Sequence, residues 1–263
     1  MASYKRNVYN MLKHKGTERW TEISTDSIEE ARAANEAGVD IIVCPGHVAA
    51  AIRQAAPDVF LVSAPAGRMS LSNDEAIRVG LEAMDSGANA VYTATHSFKR
   101  VEAMADVGVP VIGHVGFVPS RTNWIGGPRA VGKTADEAVK VFEAVKNYEN
   151  AGAIGIEVEV VPEKIATEIT KRTSMITLSL GSGKGCDGEY LWAEDILGTH
   201  EKHYPRHCKK YRDLKKEYDR LRAEMVVAFK EYVADVSSGN FPEEKHIVKI
   251  KDEVLDEFIA RIS

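Results

Sequence analysis

No apolar stretch in the chain approaches the roughly 18–20 residues that a membrane-spanning helix needs, so no span is expected. The opening Met-Ala-Ser-Tyr-Lys-Arg-Asn lacks the apolar centre of a secretory signal. Cysteine is scarce. The three present, Cys44, Cys186 and Cys208, are odd in number and far apart, which excludes a disulfide framework and points to a reducing cytoplasm. There is no surplus of basic residues: 34 Lys and Arg face 39 Asp and Glu, for a net charge of −5, which argues against nucleic acid as a partner. Internal repeats, low-complexity tracts and a clear linker are also missing.

What remains is ordinary globular composition, 44% hydrophobic and 28% charged over 263 residues. Short apolar runs alternate with amphipathic ones. The pattern predicts strands near 20–24, 39–44, 58–63, 88–93, 109–114, 154–159, 174–180 and 189–192. Helices fall between them at 28–37, 47–54, 74–86, 98–107, 135–151 and 163–171, the first capped by Asp26 or Ser27. Repeated strand–helix units with short glycine-closed turns imply a parallel sheet, and eight of them in about 200 residues favour a closed (β/α)8 TIM-type barrel of the α/β class. After Leu197 the pattern changes. A charged helix is expected from Pro205 to about Val236, with Leu214, Leu221, Met225 and Phe229 as an apolar stripe, and a second amphipathic helix follows at 252–262. The chain reads as a single domain, 1–263, with the barrel at about 18–200 and a C-terminal helical extension at 201–263.

Two strand ends carry chemistry. Pro110-Val-Ile-Gly-His-Val-Gly116 places His114 at the end of an apolar strand. Ala153-Ile-Gly-Ile-Glu-Val-Glu159 does the same with a carboxylate, stopped by Pro162. An imidazole and a carboxylate on neighbouring strand ends suggest an active site at a barrel mouth, against the plainer reading of satisfied structural hydrogen-bonders. Glu157 and Glu159 share a strand face, so each would raise the proton affinity of the other and permit acid–base work. Gly127-Pro-Arg-Ala-Val-Gly-Lys-Thr134 matches a phosphate-binding loop but does not follow a buried strand. Thr134 and Glu137 are better explained as a capping box.

The same region resembles a known family. Gly108-Val-Pro-Val-Ile-Gly-His-Val-Gly116, Gly126-Gly127, Gly132-Lys-Thr134, Ala151-Gly-Ala153, Glu159-Val-Val-Pro162, Gly181-Ser-Gly183, Cys186-Asp-Gly188, Tyr211-Arg-Asp-Leu214 and Gly239-Asn-Phe-Pro242 are similar to ketopantoate hydroxymethyltransferases. These belong to the phosphoenolpyruvate mutase/isocitrate lyase superfamily. The resemblance implies a (β/α)8 barrel, a homo-oligomer and chemistry on a small 2-oxo acid. It also implies a Mg²⁺ ion that chelates the substrate, a base at Glu159, a substrate-contacting histidine at His114, and a one-carbon unit from methylene-tetrahydrofolate.

The chain departs from that pattern where the family's metal-binding carboxylates are expected, at the ends of strands two, three and four. Gly46, Ser63 and Ala94 stand there, and Tyr92 replaces a lysine. Mg²⁺ held in the family manner is therefore not expected. His47, His96 and His114 follow strand ends, and with Glu159 they form a candidate site for Zn²⁺, Fe²⁺, Mn²⁺ or Ni²⁺. Ser63, Arg68 and Tyr92 are candidate substrate-binding residues. His200, His203, His207 and Cys208 lie in a Lys/Arg-rich segment and read as a solvated face. The expected function is C–C bond formation or cleavage on a small 2-oxo acid or related carboxylate, hydroxymethyltransferase- or aldolase-like. The alternatives are a hydrolase, isomerase or lyase with a rebuilt transition-metal site, or a non-catalytic ligand-binding paralogue. Use of tetrahydrofolate stays open.

Overall fold

Eight parallel strands close into a barrel in the order of the sequence, β1 to β8, in the computed structural model, which describes residues 6–65, 72–94 and 97–263. The strands are β1 Trp20–Ser24, β2 Ile41–Pro45, β3 Phe60–Ala64, β4 Ala90–Tyr92, β5 Val111–Gly116, β6 Gly155–Glu159, β7 Ile176–Leu180 and β8 Gly188–Trp192. β8 returns to β1 with Glu22 opposite Tyr190, and β5 lies on β6 with His114 opposite Glu157. The helices on the outside are α2 Ile28–Ala37, α3 Ala49–Ala55, α4 Asn73–Asp85, α5 Phe98–Asp106, α6 Ala135–Asn150, α7 Glu163–Thr170 and α8 Ala193–Leu197. A short α1, Val8–Lys13, precedes the barrel. This is the (β/α)8 architecture that the alternation predicts.

Alternation along each strand decides what faces the barrel axis, because successive side chains point to opposite sides. Ile41, Val43, Phe60, Val62, Ile112 and Leu178 belong to one buried cluster inside the barrel. Their neighbours Ile42, Cys44 and Leu61 belong to a cluster between sheet and helices. On β6, Ile156 and Val158 lie in the outer layer, which turns Glu157 and Glu159 inward. On β1, Ile23 is outer and Trp20 inner, which turns Glu22 inward.

The helix boundaries follow local chemistry. Ser27, not Asp26, caps α2 by accepting from the Glu30 N–H, and Gly38 ends it with φ +84°. Thr134 caps α6, and the Glu137 carboxylate takes the backbone N–H groups of Gly132 (3.1 Å) and Lys133 (3.2 Å). Two of the amides that a phosphate-binding loop would offer are therefore already bonded.

The chain divides into two compact units, Met1–Arg212 and Asp213–Ser263. The second contains α9 Leu214–Ser238 and α10 Asp252–Ile262, neither with a buried residue; Leu221, Met225 and Phe229 of the apolar stripe are exposed. α9 begins at Leu214, well after the Pro205 start that the sequence suggests. Residues 200–212 are instead tied down irregularly within the first unit. His200 Nε2 lies 2.9 Å from the buried Asp195, the Cys208 thiol donates to the same carboxylate, and the Tyr211 N–H donates to the Ile196 carbonyl. His207 packs over Gly181, where a Cβ would lie 2.8 Å from the imidazole. Of the four residues read as a solvated face, only His203 is fully exposed. The density of Lys and Arg concealed a segment anchored by one buried carboxylate.

Candidate active site

His114 and Glu159 reach the same place because β5 and β6 pair to their ends, with Gly116 opposite Glu159. The turn that follows is built tightly. Gly116 has φ +88°, and a Cβ there would lie 2.2 Å from the Glu159 carbonyl oxygen, so only glycine lets the strands close beside the carboxylate. The same carbonyl accepts from the Phe117 N–H at 2.8 Å. Immediately after Glu159, Val160 has φ +49°, a conformation costly for a β-branched residue. It is held by Val160 N–H to the Leu180 carbonyl and Val161 N–H to Ser182 Oγ. Strain held in place next to a carboxylate fixes where that carboxylate points.

The side chains form a line. The Tyr92 hydroxyl lies 2.5 Å from His114 Nδ1, and His114 Nε2 lies 2.9 Å from Glu159 Oε2. Burial, with the nearby Glu157 carboxylate, pushes the Tyr92 phenol above its ordinary proton affinity, so it remains the donor to Nδ1. With Nδ1 accepting from Tyr92, the ring proton sits on Nε2. That nitrogen is within ion-pair distance of Glu159, yet it makes no hydrogen bond.

Beneath this line lies a second layer of polar groups. Glu157 is 2% exposed, its Oε2 is 3.9 Å from His114 Nδ1, and its Oε1 has no partner. Burial first, then the charges of Glu22 and Glu159, hold its carboxyl well above the ordinary range. Glu22 is equally buried with both oxygens unpartnered, and burial pushes its carboxyl up to about 8. Tyr190 is raised by burial and by Glu157 and Glu22. Tyr190, which lines the cavity below, and Glu22, buried beside it on the inward face of β1, are residues that the sequence reading passes over, although the alternation in Trp-Thr-Glu-Ile-Ser and Gly-Glu-Tyr-Leu-Trp puts each on the face of an inward aromatic.

Tyr92, His114, Glu157, Glu159 and Tyr190 line one cavity of about 650 Å³, with Ser24 and Trp192. His47 and Ser63 do not line it. They share a separate depression of about 340 Å³ with Gly46, Pro65 and Glu82. Ser63 has the outward parity of Leu61 on β3, so its buried, unpartnered Oγ points away from the axis. His47 sits in the short helical turn Gly46–Val48 after β2. Arg68 and His96 lie outside the described residues. Of the expected metal set, the structure thus brings His114 and Glu159 together and leaves His47 elsewhere. Among the described residues, no group of three or more His, Cys, Asp or Glu is placed to hold a metal ion. Gly46 and Ser63 are adjacent, a Cβ on Gly46 lying 3.3 Å from Ser63 Oγ, but a hydroxyl and a bare glycine do not fit hard Mg²⁺.

The family model described as ketopantoate hydroxymethyltransferase matches residues 45–244, from the end of β2 into the second unit. The chain belongs to the ketopantoate hydroxymethyltransferase family. It is 31% identical over 260 residues to a 3-methyl-2-oxobutanoate hydroxymethyltransferase of Kosmotoga olearia, covering 90% of this chain and 95% of that protein. A protein of the same name from Geobacillus is 36% identical over 211 residues, 79% of this chain and 73% of its own length. The family is one of transferases, and the chain is an enzyme of that class. Among solved structures, 2,3-dimethylmalate lyase, a member of the PEP mutase/isocitrate lyase superfamily, superposes with a TM-score of 0.54 over 98% of this chain and 96% of that one. At 12% identity it speaks for the shared barrel alone. No helix among the described residues is long and apolar enough to cross a membrane.

Proposed function

We propose that this enzyme activates a small 2-oxo acid or related carbonyl compound at the carbon next to the carbonyl, for transfer of a one-carbon unit. Glu159 removes the proton from that carbon. The Nε2–H of His114 donates to the carbonyl oxygen as negative charge builds on it, and the enolate attacks the one-carbon electrophile. Tyr92 holds the imidazole in the tautomer that can donate. The observation that carries this reading is the line Tyr92–His114–Glu159, in which a fixed donor and a carboxylate converge on one cavity with the donor still free. The reading is of a divergent family member: Gly46, Ser63 and Ala94 stand where carboxylates are expected, so no step is assigned to Mg²⁺. The exposed apolar residues of α9 and α10 fit the homo-oligomer that the family resemblance implies.

The test is Glu159→Gln, which keeps shape but cannot accept a proton. Exchange of the α-protons of a 2-oxo acid such as 3-methyl-2-oxobutanoate in D₂O, followed by NMR, is expected to fall by roughly 10²-fold or more, with little change in melting temperature. Near-normal exchange by a stable variant would remove Glu159 from the role.

A further inference from the structure

A separate cavity of about 500 Å³ lies on the outer side of the barrel, between α6 and the segment that joins it to β5. Its floor is apolar: Val115, Val118 and Val141 line it and are buried. Its rim is basic and aromatic, with Arg121, Trp124 and Arg129 from the joining segment and Lys140 from α6. In the described lining, three cations face one anion, Glu137. That anion is already engaged by the Arg129 guanidinium at 2.7 Å and by the Gly132 and Lys133 amides. Arg129 is engaged as well, donating also to the carbonyls of Ile125 and Ala130. Two positive charges are left over. Arg121 lies over the Trp124 ring, 5.6 Å from its centroid, and Lys140 has no ion-pair partner among the described residues. Trp124 itself is 81% exposed, a large apolar ring held in water at the edge of an apolar floor. A flat ring that carries negative charge matches this surrounding. Its faces are desolvated on the valines and the indole, and its charge is met by a guanidinium and an ammonium.

We propose that this cavity is a second binding site, for a flat aromatic compound that bears a phosphate. A phosphate dianion satisfies both spare cations with one group, which a single carboxylate does not. The volume falls within the roughly 300–1,000 Å³ of small-molecule sites. Side chains hold the phosphate here, since the Gly132 and Lys133 amides are taken by Glu137. The site is distinct from the mouth: the cavity that contains His114 and Glu159 shares no lining residue with it. It nevertheless backs onto the turn that carries Glu159. Gly116 and Val131 line it; a Cβ on Gly116 would meet the Glu159 carbonyl oxygen, and the Val131 N–H donates to the Val160 carbonyl at 3.1 Å.

Calorimetry on the full chain tests this with AMP and 1-naphthyl phosphate, which join a ring to a phosphate, and with adenosine and inorganic phosphate, which each supply one half. At least one of the joined probes is expected to bind roughly tenfold or more tightly than either half. Added salt should weaken that binding, because the charges lie at an exposed rim. Arg121→Gln and Lys140→Gln, on different elements, should each weaken it by roughly three- to tenfold and reduce its salt dependence, with melting temperatures unchanged. Trp124→Ala should weaken it while leaving the salt dependence in place. Saturating 3-methyl-2-oxobutanoate should not displace the probe. Failure of both joined probes to bind, binding no tighter than that of adenosine or phosphate, wild-type affinity in both Gln variants, or displacement by 3-methyl-2-oxobutanoate would each overturn the proposal.

Discussion

On the β4–β6 side of the barrel end, Tyr92, His114, Glu157 and Glu159 share a cavity and reach one another, whereas on the β2–β3 side Gly46, His47 and Ser63 line a different depression. Both sides are made of strand ends, and both supply candidate site residues in the sequence. What separates them is parity. His114, Glu157 and Glu159 alternate with the outer-layer residues Val115, Ile156 and Val158. Ser63 shares the parity of Leu61 and is carried outward with it. A polar residue at a strand end is a site candidate only if the count from the buried strand centre sends it inward.

The largest effect expected from this contrast is the loss of His114. His114→Gln removes the Nε2–H donor and the acceptor for Tyr92, and should lower turnover by roughly 10²- to 10⁴-fold. His47→Gln should leave turnover within about twofold, since its side chain lies in the other depression. Comparable losses in both variants, measured by the same α-exchange assay, would break the division between the two sides.

The second expectation concerns stability. Glu22 is fully buried without partners, and its carboxyl is raised from 4.5 to about 8. For a group raised on folding, stability is fully present below the unfolded value and lost as pH rises through the folded one. The protein should therefore lose stability steadily between about pH 4.5 and pH 8. A tenfold change in proton affinity is worth roughly 1.4 kcal/mol, so the full swing is on the order of 5 kcal/mol as an upper bound. Glu22→Gln should flatten that slope in urea unfolding at a series of pH values. An unchanged slope would mean that Glu22 is not held neutral.

A smaller effect is expected at Tyr92. Tyr92→Phe keeps the ring and removes only the donor to Nδ1, so both imidazole tautomers become populated and a fraction of molecules lose the Nε2–H. A roughly tenfold fall in kcat with little change in KM is expected. A change confined to KM would make Tyr92 a substrate contact and not a positioning residue.

Most of the fold was legible because strand and helix periods differ and the turns are marked by glycine. β1 at Trp20–Ser24 and β6 ending on Glu159 follow from the pattern directly. His114 and Glu159 stood out because each ends an apolar run. Glu22 and Tyr190 did not, because they sit inside strands, where a polar residue is easily taken for the solvent face; in a closed barrel the alternate face turns to the interior instead. Residues 200–212 were misread for a different reason. Their hydrogen bonds go to Asp195 and Ile196, and nothing in the local periodicity records a long-range partner.

The smallest expected effect belongs to metal removal, and it bears on the β2–β3 side alone. Mg²⁺ requires hard oxygen ligands, usually with one or two carboxylates, and it dehydrates reluctantly. Ser63 offers one neutral hydroxyl, buried and directed away from the barrel axis, and Gly46 offers no side chain. The inward-facing strand carboxylates Glu22, Glu157 and Glu159 lie on β1 and β6, and among the described residues no group of three or more His, Cys, Asp or Glu is placed to hold a metal ion. Dialysis against a chelator should accordingly change turnover by less than about twofold, and added Mg²⁺ should give no saturable activation. If chelation instead abolishes activity and Mg²⁺ restores it, the β2–β3 side is part of the site after all. Ser63→Asp then becomes the sharper probe: a carboxylate returned to that position should tighten Mg²⁺ dependence if the depression communicates with the mouth, and should alter only stability if the two sides are as separate as their parities indicate.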